Sequence, residues 1–407
     1  MDRRGRPLRI AFLSTWVPRR CGIATFAKDL RDAVEASDPT TTTGVLAIDE
    51  PGSRRPYDAT LIARVRQHDA ASFRQAAALA MRWGADVVNV QHEFGLYGSD
   101  DGSTHADHLA GFLEDLRVPS VTTLHTVLPR PAVWMRDAVR RIARLSSAVV
   151  VMSATARRLL HDDYGIDHPV TVIPHGAPPV PRMPGGRNAA KERLGLAGRT
   201  VVSTFGLVDP RKGLEYAVEA IAAVARRHPD VLYVVAGQTH PELVRRDGEA
   251  YRGELVRRVA ERGLERNVRF VDEYLTRDAI VELLRASDVY VTPYLDPDQI
   301  TSGTLAYALG AGCAIVSTRY LHAREALGDG RGVLVDFRSS AQIAAALLAI
   351  LGAPAMQRAL EERAYAYGRQ AAWPRVGAQA LARMSALSAR SSSAPMLLRM
   401  PVDLAAP

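Results

Sequence analysis

The sequence DPDQITSGTLAYALGAG at residues 296–312 follows DVYVTPY at 288–294, an apolar run typical of a buried strand. The polar residues at its start indicate a loop, and a helix is predicted to begin at about Ser302. Unpaired amides in the first turn of a helix and the positive end of its dipole together attract anions. The hydroxyls and open backbone of residues 300–304 therefore predict a site for a phosphate or a diphosphate.

The same stretch also fits a plainer interpretation, a helix with good caps at both ends. Ser302 is then the N-cap, and Gly310 and Gly312 end the helix. Because both interpretations predict the same local structure, the choice between them depends on what the rest of the chain places nearby.

The composition is that of a water-soluble globular chain with room for two domains. It has 407 residues, of which 47% are hydrophobic and 24% are charged. The sequence has no apolar run of the roughly 20 residues that a membrane span requires. The start of the chain reads as a first strand rather than a signal peptide. Cys21 and Cys313 alone support neither a disulfide framework nor a metal site, so we expect a cytoplasmic protein.

The net charge of +8 suits an anionic ligand, but almost all of the basic residues are arginine. Of the 52 basic residues, only Lys28, Lys191 and Lys212 are lysines. Since an ammonium and a guanidinium are different phosphate ligands, these lysines are of particular interest.

Strand and helix patterns alternate along the chain and restart once. This alternation predicts parallel α/β sheets covered on both faces, in two Rossmann-like domains at residues 1–175 and 191–372. The segment 176–190, rich in proline and glycine, is the predicted linker. A helix at about 374–388 is expected to pack back on the first domain, and residues 389–407 are predicted to be a disordered tail.

Polar residues follow several predicted strands of the first half, where open α/β sheets bind their ligands. Gly22 follows the first strand. Gln91, His92 and Glu93 follow another and lead into an acidic loop containing Asp100 and Asp101, and His125 ends a third. Each also fits a scaffold role, as a turn residue, a cap at the sheet edge or a hydrogen-bonded histidine.

In the second half, Arg211 and Lys212 lie next to Gly213 at the predicted start of a helix. Two cations at this place fit a diphosphate, although a solvated basic turn is the alternative. Glu325 is predicted to be a surface charge on a later helix.

These motifs resemble those of the retaining glycosyltransferases of family 4, which have the GT-B fold. The resemblance covers residues 8–388 and rests on CGIATF at 21–26, TLHT at 123–126, VIPHG at 172–176, DPRKG at 209–213 and SGTLAYALGAG at 302–312. It implies two Rossmann-like domains that face each other across a cleft, with a nucleotide diphosphate sugar bound mainly by the second and the acceptor by the first.

The resemblance also implies roles for individual residues. His125 contacts hydroxyls of the donor sugar, and Gly22 packs against the diphosphate. Lys212 and Arg211 neutralise the diphosphate, which the segment 301–304 also contacts. The other residues expected to bind the donor are Gln299, Thr301, Ser302, Gly303, Thr304 and Tyr307. The residues expected to bind the acceptor are Gln91, His92 and Glu93.

The chain departs from the family pattern at three positions. The family has two glutamates eight positions apart, one for the donor sugar and one for the nucleotide ribose, where this chain has Gln299 and Tyr307. Leu207 replaces an arginine of the family's basic pair, so Arg211 is expected to bind the diphosphate together with Lys212. Neither Gln299 nor Tyr307 supplies a negative charge, although both form hydrogen bonds.

The resemblance thus implies a retaining, metal-independent hexosyltransferase that uses a GDP- or UDP-sugar, with mannose favoured, and a carbohydrate or lipid-linked acceptor. No cofactor and no nucleic acid are expected. An arginine-rich helix containing Arg136, Arg140, Arg141 and Arg144 fits peripheral contact with the inner membrane face, although a solvated helix face is the favoured interpretation. The alternative is a non-catalytic partner subunit that binds nucleotide sugars, as the loss of both glutamates suggests.

Overall fold

The structure, a computed structural model, describes residues 6–99 and 105–393. The predicted acidic pair Asp100 and Asp101 and the predicted tail from residue 394 onward lie outside these ranges. Within the described residues the chain forms two parallel sheets of seven and six strands. The prediction of parallel α/β sheets is confirmed.

The first sheet contains β1 (Arg9–Ser14), β2 (Thr42–Asp49), β3 (Leu61–Arg66), β4 (Val87–His92), β5 (Ser120–Leu124), β6 (Ala148–Val151) and β7 (Val170–Val172). Its helices are α1 (Gly22–Ser37), α2 (Ala70–Trp83), α3 (Leu109–Asp115), α4 (Val133–Leu145) and α5 (Ala154–Asp162). The strand order is β3-β2-β1-β4-β5-β6-β7, so the order reverses between β1 and β4.

The second sheet contains β8 (Thr200–Phe205), β9 (Val231–Ala236), β10 (Val268–Val271), β11 (Val289–Thr292), β12 (Ala314–Thr318) and β13 (Val333–Val335). The remaining helices are α6 (Gly186–Arg193), α7 (Leu214–Ala225), α8 (Pro241–Asp247), α9 (Ala250–Glu261), α10 (Arg277–Ala286), α11 (Gly303–Ala311), α12 (Leu321–Ala326), α13 (Ser340–Leu351), α14 (Pro354–Gly368) and α15 (Trp373–Ser393). The strand order β10-β9-β8-β11-β12-β13 reverses between β8 and β11.

The central strands are buried because both faces of each sheet are covered by helices. Every residue of β4, β9 and β11 is buried. Crevices open where the strand order of such a sheet reverses, at the carboxyl ends of the strands. The two reversals therefore place one crevice after β1 and β4 and another after β8 and β11.

The C-terminal helix α15 returns to the first sheet. Trp373, Val376, Ala380 and Met384 lie in one buried cluster with Phe26 and other residues of α1. The helix continues to Ser393, beyond the predicted end at 388 and into the predicted tail, because no glycine or proline lies between residue 388 and Pro395.

The predicted linker is shorter than expected, since α6 begins inside it at Gly186. Next to the linker, the chain crosses between the halves twice. Ala177 accepts a hydrogen bond from the amide of Trp373 at 2.9 Å and donates one to the carbonyl of Ala371 at 2.8 Å. The two crossings are thus tied together.

Glu325 is not the surface charge that the sequence predicted. Its two carboxylate oxygens accept hydrogen bonds, both 2.8 Å long, from the backbone amides of Ala154 and Thr155. The residue belongs to α12 in the second half and caps α5 in the first, so it links the halves at a helix N-terminus.

Among the described residues, no single helix is long and apolar enough to cross a membrane. One pair, α13 with residues 354–371, meets the length and composition criteria jointly but is bent by 101°.

Candidate active site

A cavity of 340 Å³ lies between the two sheets at their carboxyl edges, where both strand orders reverse. The first half and α15 contribute Gly22, Thr25, Phe26, Asp29, His175 and Trp373 to its wall. The second half contributes, among others, Gly206, Lys212, Tyr274, Gly303, Thr304 and Tyr307. Both crevices thus open into one shared space.

The N-terminus of α11 forms one wall of this cavity. Ser302 is its N-cap, and the serine hydroxyl accepts a hydrogen bond from the amide of Leu305 at 3.3 Å. Gly303 and Thr304, the first two helical residues, line the cavity. Their amides have no partner within the helix, so this wall has the geometry of an anion site.

The helix end is held in place from several sides. The amide of Ser302 donates to Nδ1 of His322 at 2.9 Å, and the hydroxyl of Thr304 lies 2.7 Å from that of Tyr294. A Cβ on Gly303 would lie 2.8 Å from Nε2 of His175, so any other residue at this position would displace that imidazole. Of the two predicted helix stops, Gly312 is the C-cap, whereas Gly310 lies inside the helix.

Lys212 lies on the cavity wall at the end of a short 3-10 turn, Pro210–Lys212. The turn ends at Gly213, which has a φ of +61° and whose Cβ would lie 2.3 Å from the carbonyl oxygen of Pro293. Glycine therefore lets the turn approach the end of β11 closely. The ammonium nitrogen of Lys212 lies 3.7 Å from the ring centre of Tyr294.

Arg211 also lines the cavity, but its charge is engaged by a neighbour. Its Nε and Nη2 donate to the two oxygens of Asp209 at 3.0 and 2.8 Å. Because of this ion pair, the pKa of Asp209 is held below its usual value despite the burial that opposes it. Within the part of the chain that the structure describes, Lys212 has no such carboxylate partner.

Gly22 lies on the opposite wall as the first residue of α1. A Cβ at this position would meet no atom within 4 Å. The N-cap, Cys21, provides no side-chain hydrogen bond to the helix. The open N-terminus of α1 therefore faces the same cavity as that of α11.

Gln299, Thr301 and Ser302, predicted to bind a donor, do not line the cavity. The side-chain NH₂ group of Gln299 donates to the carbonyl of Thr301 at 3.1 Å, and Ser302 is buried as the helix cap. Of the six residues predicted in this stretch, Gly303, Thr304 and Tyr307 therefore line the cavity and the other three do not.

Tyr307 contacts a carboxylate that the sequence did not indicate. Its hydroxyl donates to Oδ2 of Asp29 at 3.0 Å, and Nη1 of Arg277 lies 3.5 Å from Oδ1. Burial raises the pKa of Asp29 against the lowering effect of these two partners. The sequence signal that could have revealed it is an acid among the mainly apolar residues of α1, three residues after Phe26.

His125 lies behind the cavity wall. Its Nε2 is 2.8 Å from the side-chain oxygen of Gln91, whose NH₂ group donates to Asn89. His125 therefore donates from Nε2 and keeps the lone pair of Nδ1. Burial lowers the pKa of His125 to about 3, so the ring is neutral at neutral pH. The ring packs edge-on against Phe26, which does line the cavity.

The three residues predicted to bind an acceptor are engaged in internal contacts. Gln91 and His92 are fully buried, and Nε2 of His92 lies 2.6 Å from a carboxylate oxygen of Asp107. Glu93 accepts hydrogen bonds from the hydroxyl of Thr126 and from the amide of Phe94, both at 2.9 Å. None of the three lines the cavity.

Two further histidines near the cavity were missed. Nδ1 of His175 lies 2.8 Å from the carbonyl of Gly176 and donates to it, which leaves the lone pair on Nε2 next to Gly303. Burial lowers the pKa of His175 and of His322 to about 4 each. His175 lies in the motif VIPHG, whereas nothing in the sequence around His322 indicated its contact with Ser302.

Comparison with protein families matches both halves of the chain. Residues 30–179 match the family described as Glycosyltransferase Family 4, and residues 187–367 match the family described as Glycosyl transferases group 1.

Curated relatives are similar over part of the chain. The D-inositol 3-phosphate glycosyltransferase of Nocardia farcinica is 29% identical over 275 residues, which are 63% of this chain and 59% of that protein. The lipopolysaccharide core biosynthesis mannosyltransferase LpsB of Rhizobium meliloti is 32% identical over 163 residues, 39% of this chain and 41% of LpsB. The matches span less than two thirds of either relative's length.

Solved structures match nearly the whole chain. Anabaena HepE, solved in complex with UDP-glucose, aligns with a TM-score of 0.70 and 18% identity, over 93% of this chain and 99% of that one. Sucrose-phosphate synthase from Thermosynechococcus elongatus aligns with a TM-score of 0.72 and 17% identity, over 94% of this chain and 100% of that one. At these identities the likeness shows the fold, and it confirms the predicted GT-B architecture.

Proposed function

The chain belongs to the glycosyltransferases of family 4, and we propose that it is a retaining hexosyltransferase that uses a nucleotide diphosphate sugar. The observation that carries the proposal is the wall formed by the N-terminus of α11 and Lys212, in a cavity shared by both halves. Helix amides, and an ammonium that has no carboxylate partner among the residues that the structure describes, are suited to the charge of a departing diphosphate.

The proposed reaction needs no nucleophile from the protein. The bond between the sugar's C1 and the β-phosphate oxygen breaks, and the acceptor oxygen bonds to C1 on the same face. The acceptor's proton passes to the departing phosphate oxygen. Lys212 and the amides of Gly303 and Thr304 stabilise the charge that develops on this oxygen, which lowers the barrier.

The donor in this proposal is a GDP- or UDP-hexose, with mannose favoured, and the reaction is independent of metal ions. Relatives named mannosyltransferases and a structural neighbour that holds UDP-glucose support this choice. Within the described residues, the cations on the cavity wall that face the diphosphate are Lys212 and Arg211.

The acceptor in this proposal is a carbohydrate or a lipid-linked sugar bound on the side of the first half. His125, with its neutral ring and the free lone pair on Nδ1, supports the geometry of the donor sugar through Phe26. Gln91, His92 and Glu93 shape the loop that follows β4 on this side.

We place the enzyme in the cytoplasm with peripheral contact at the inner membrane face through α4. Arg140, Arg141 and Arg144 are exposed on this helix, and Val133 at its start is 64% exposed. Co-sedimentation with vesicles of anionic and of neutral lipid tests this part. Equal binding to both kinds of vesicle, or to neither, would contradict it.

The test of the proposal is transfer by the purified protein from a panel of GDP-, UDP- and ADP-hexoses. Formation of a glycosylated product with release of the nucleoside diphosphate is expected with at least one donor. The alternative, a non-catalytic partner subunit, is favoured by the absence of carboxylates at Gln299 and Tyr307. Calorimetric binding of nucleotide sugars without any turnover would support this alternative.

A further inference from the structure

Asp29 reaches across the cavity from α1 to two elements of the second half. Its carboxylate accepts from the hydroxyl of Tyr307 on α11 at 3.0 Å and pairs with Arg277, the first residue of α10, at 3.5 Å. The residue is 7% exposed and lines the cavity. A carboxylate from one half is thus built into a wall that the other half provides.

The position of Tyr307 relative to the anion site follows from helix geometry. Tyr307 lies one turn after Gly303 and Thr304, which puts it about 5 Å further along the helix axis. A group bound at Tyr307 is therefore the direct neighbour of a phosphate bound at the helix N-terminus.

The other contact of Asp29 indicates what lies beyond this neighbour. The segment before and within α10 supplies Tyr274, Leu275 and Ile280 to the cavity wall, a surface suited to a flat base. Arg277 belongs to the same segment. Asp29 therefore bridges the phosphate-binding helix and this apolar wall. In a nucleoside diphosphate, the group between phosphate and base is the pentose.

We propose that Asp29 binds the ribose hydroxyls of the donor nucleotide, so that both halves of the chain hold the nucleoside. This inference rests on the proposed use of a nucleotide sugar. A carboxylate has about four acceptor positions, of which Tyr307 and Arg277 use two. The remaining positions match the two vicinal hydroxyls of a ribose. Because Asp29 belongs to the first half, it can bind the ribose only when the two halves are as close together as they are in this structure.

The experiment compares affinities measured by calorimetry for UDP, GDP, their 2′,3′-dideoxy analogues and inorganic pyrophosphate. In the unmodified protein, the dideoxy analogue of the nucleotide that binds is expected to bind at least tenfold more weakly. In Asp29→Asn this ratio is expected to fall to about two or less, while the affinity for pyrophosphate stays the same. Asp29→Asn keeps the shape of the side chain and removes its charge.

Two further variants make the result specific. Asp32→Asn is the matched control, because Asp32 lies on the same helix and pairs with Lys28 outside the cavity wall; it should keep the tenfold ratio. Tyr307→Phe keeps the carboxylate and should retain a ratio well above that of Asp29→Asn. An unchanged ratio in Asp29→Asn, with UDP or GDP still bound, would overturn the role of Asp29 and leave the proposed function standing. No binding of any nucleoside diphosphate to the unmodified protein would overturn both.

Discussion

The hydroxyl of Tyr307 and the carboxylate of Asp29 form a 3.0 Å hydrogen bond between residues that are far apart in the chain and lie in different halves of the molecule. Tyr307 is 8% exposed, so the bond is shielded from solvent. Burial also raises the pKa of Tyr307 above its usual value, so the hydroxyl keeps its proton and acts as the donor. The pair links the wall of the cavity to the relative position of the two halves.

A double-mutant cycle measures this link. Tyr307→Phe leaves the buried carboxylate without one of its donors, which costs about 1–3 kcal/mol of stability. Asp29→Ala removes the same contact from the other side, because alanine has no oxygen to accept from the tyrosine hydroxyl. If the hydroxyl acts through Asp29, the double variant should melt close to the temperature of the less stable single variant. Strictly additive losses in thermal melting would contradict the coupling.

Lys212→Ala should reduce kcat/KM at least about tenfold, which corresponds to about 1.4 kcal/mol of transition-state stabilisation. The reason is that this ammonium faces the departing diphosphate without a carboxylate partner among the described residues. Steady-state kinetics with the active donor provide the measurement. Lys28→Ala is the control, since Lys28 pairs with Asp32 away from the cavity wall and its loss should leave the rate unchanged. Equal rates for both variants would refute the assignment of Lys212.

His125→Ala should also lower the rate at least about tenfold, because Phe26 loses the ring that supports it at the cavity wall. The matched control is His161→Ala, since His161 is exposed on α5 and pairs with the nearby surface residues Asp162 and Asp167. Near-normal kinetics for His125→Ala, in a variant with the same melting temperature as the unmodified protein, would show that His125 has no role in catalysis.

The sequence was sufficient for the fold because short runs rich in apolar and β-branched residues alternate with helical patterns along both halves, which is typical of parallel α/β sheets. It also placed Gly22, Lys212 and Gly303, since each follows a strand and lies near a helix start. The contact between Asp29 and Tyr307 could not be predicted, because it depends on how two separately folded sheets face each other. The same holds for Glu325, whose capping of α5 has no local signal.

Gln299 shows a different limit. Its spacing from Tyr307 suggested a place in the cavity, but its amide turns back to the carbonyl of Thr301. Spacing along a helix predicts which residues share a face. Gln299, however, lies in the loop before the helix, where this rule does not apply. A polar side chain in a loop often forms a hydrogen bond with the nearby backbone, and such local contacts are hard to predict from the sequence.

Stability should fall as the pH drops from about 6.5 toward 4, before most carboxylates titrate. Burial lowers the pKa of His175 and His322 to about 4 and that of His125 to about 3, whereas all three titrate near 6.5 when unfolded. The unfolded chain therefore binds more protons in this range. The stability that the neutral rings provide is complete above pH 6.5 and is lost as the pH approaches the folded values.

The check is urea unfolding at pH 7.5 and pH 5.0, with an expected loss of a few kcal/mol at the lower pH. His322→Gln should reduce the difference between the two pH values, because one of the three rings is gone. Identical midpoints at both pH values for the unmodified protein would show that the buried rings do not behave in this way.

The central claim is that the cavity between the sheets transfers a hexose from a nucleotide diphosphate. The most direct measurement is the transfer of a radiolabelled hexose from GDP-mannose, UDP-glucose and related donors to a mixture of carbohydrate and lipid-linked acceptors, with EDTA present. The account predicts a labelled product with retained anomeric configuration from at least one donor, and a rate at least tenfold lower for Lys212→Ala. No labelled product from any donor, with a folded protein that still binds the nucleotide, would contradict it.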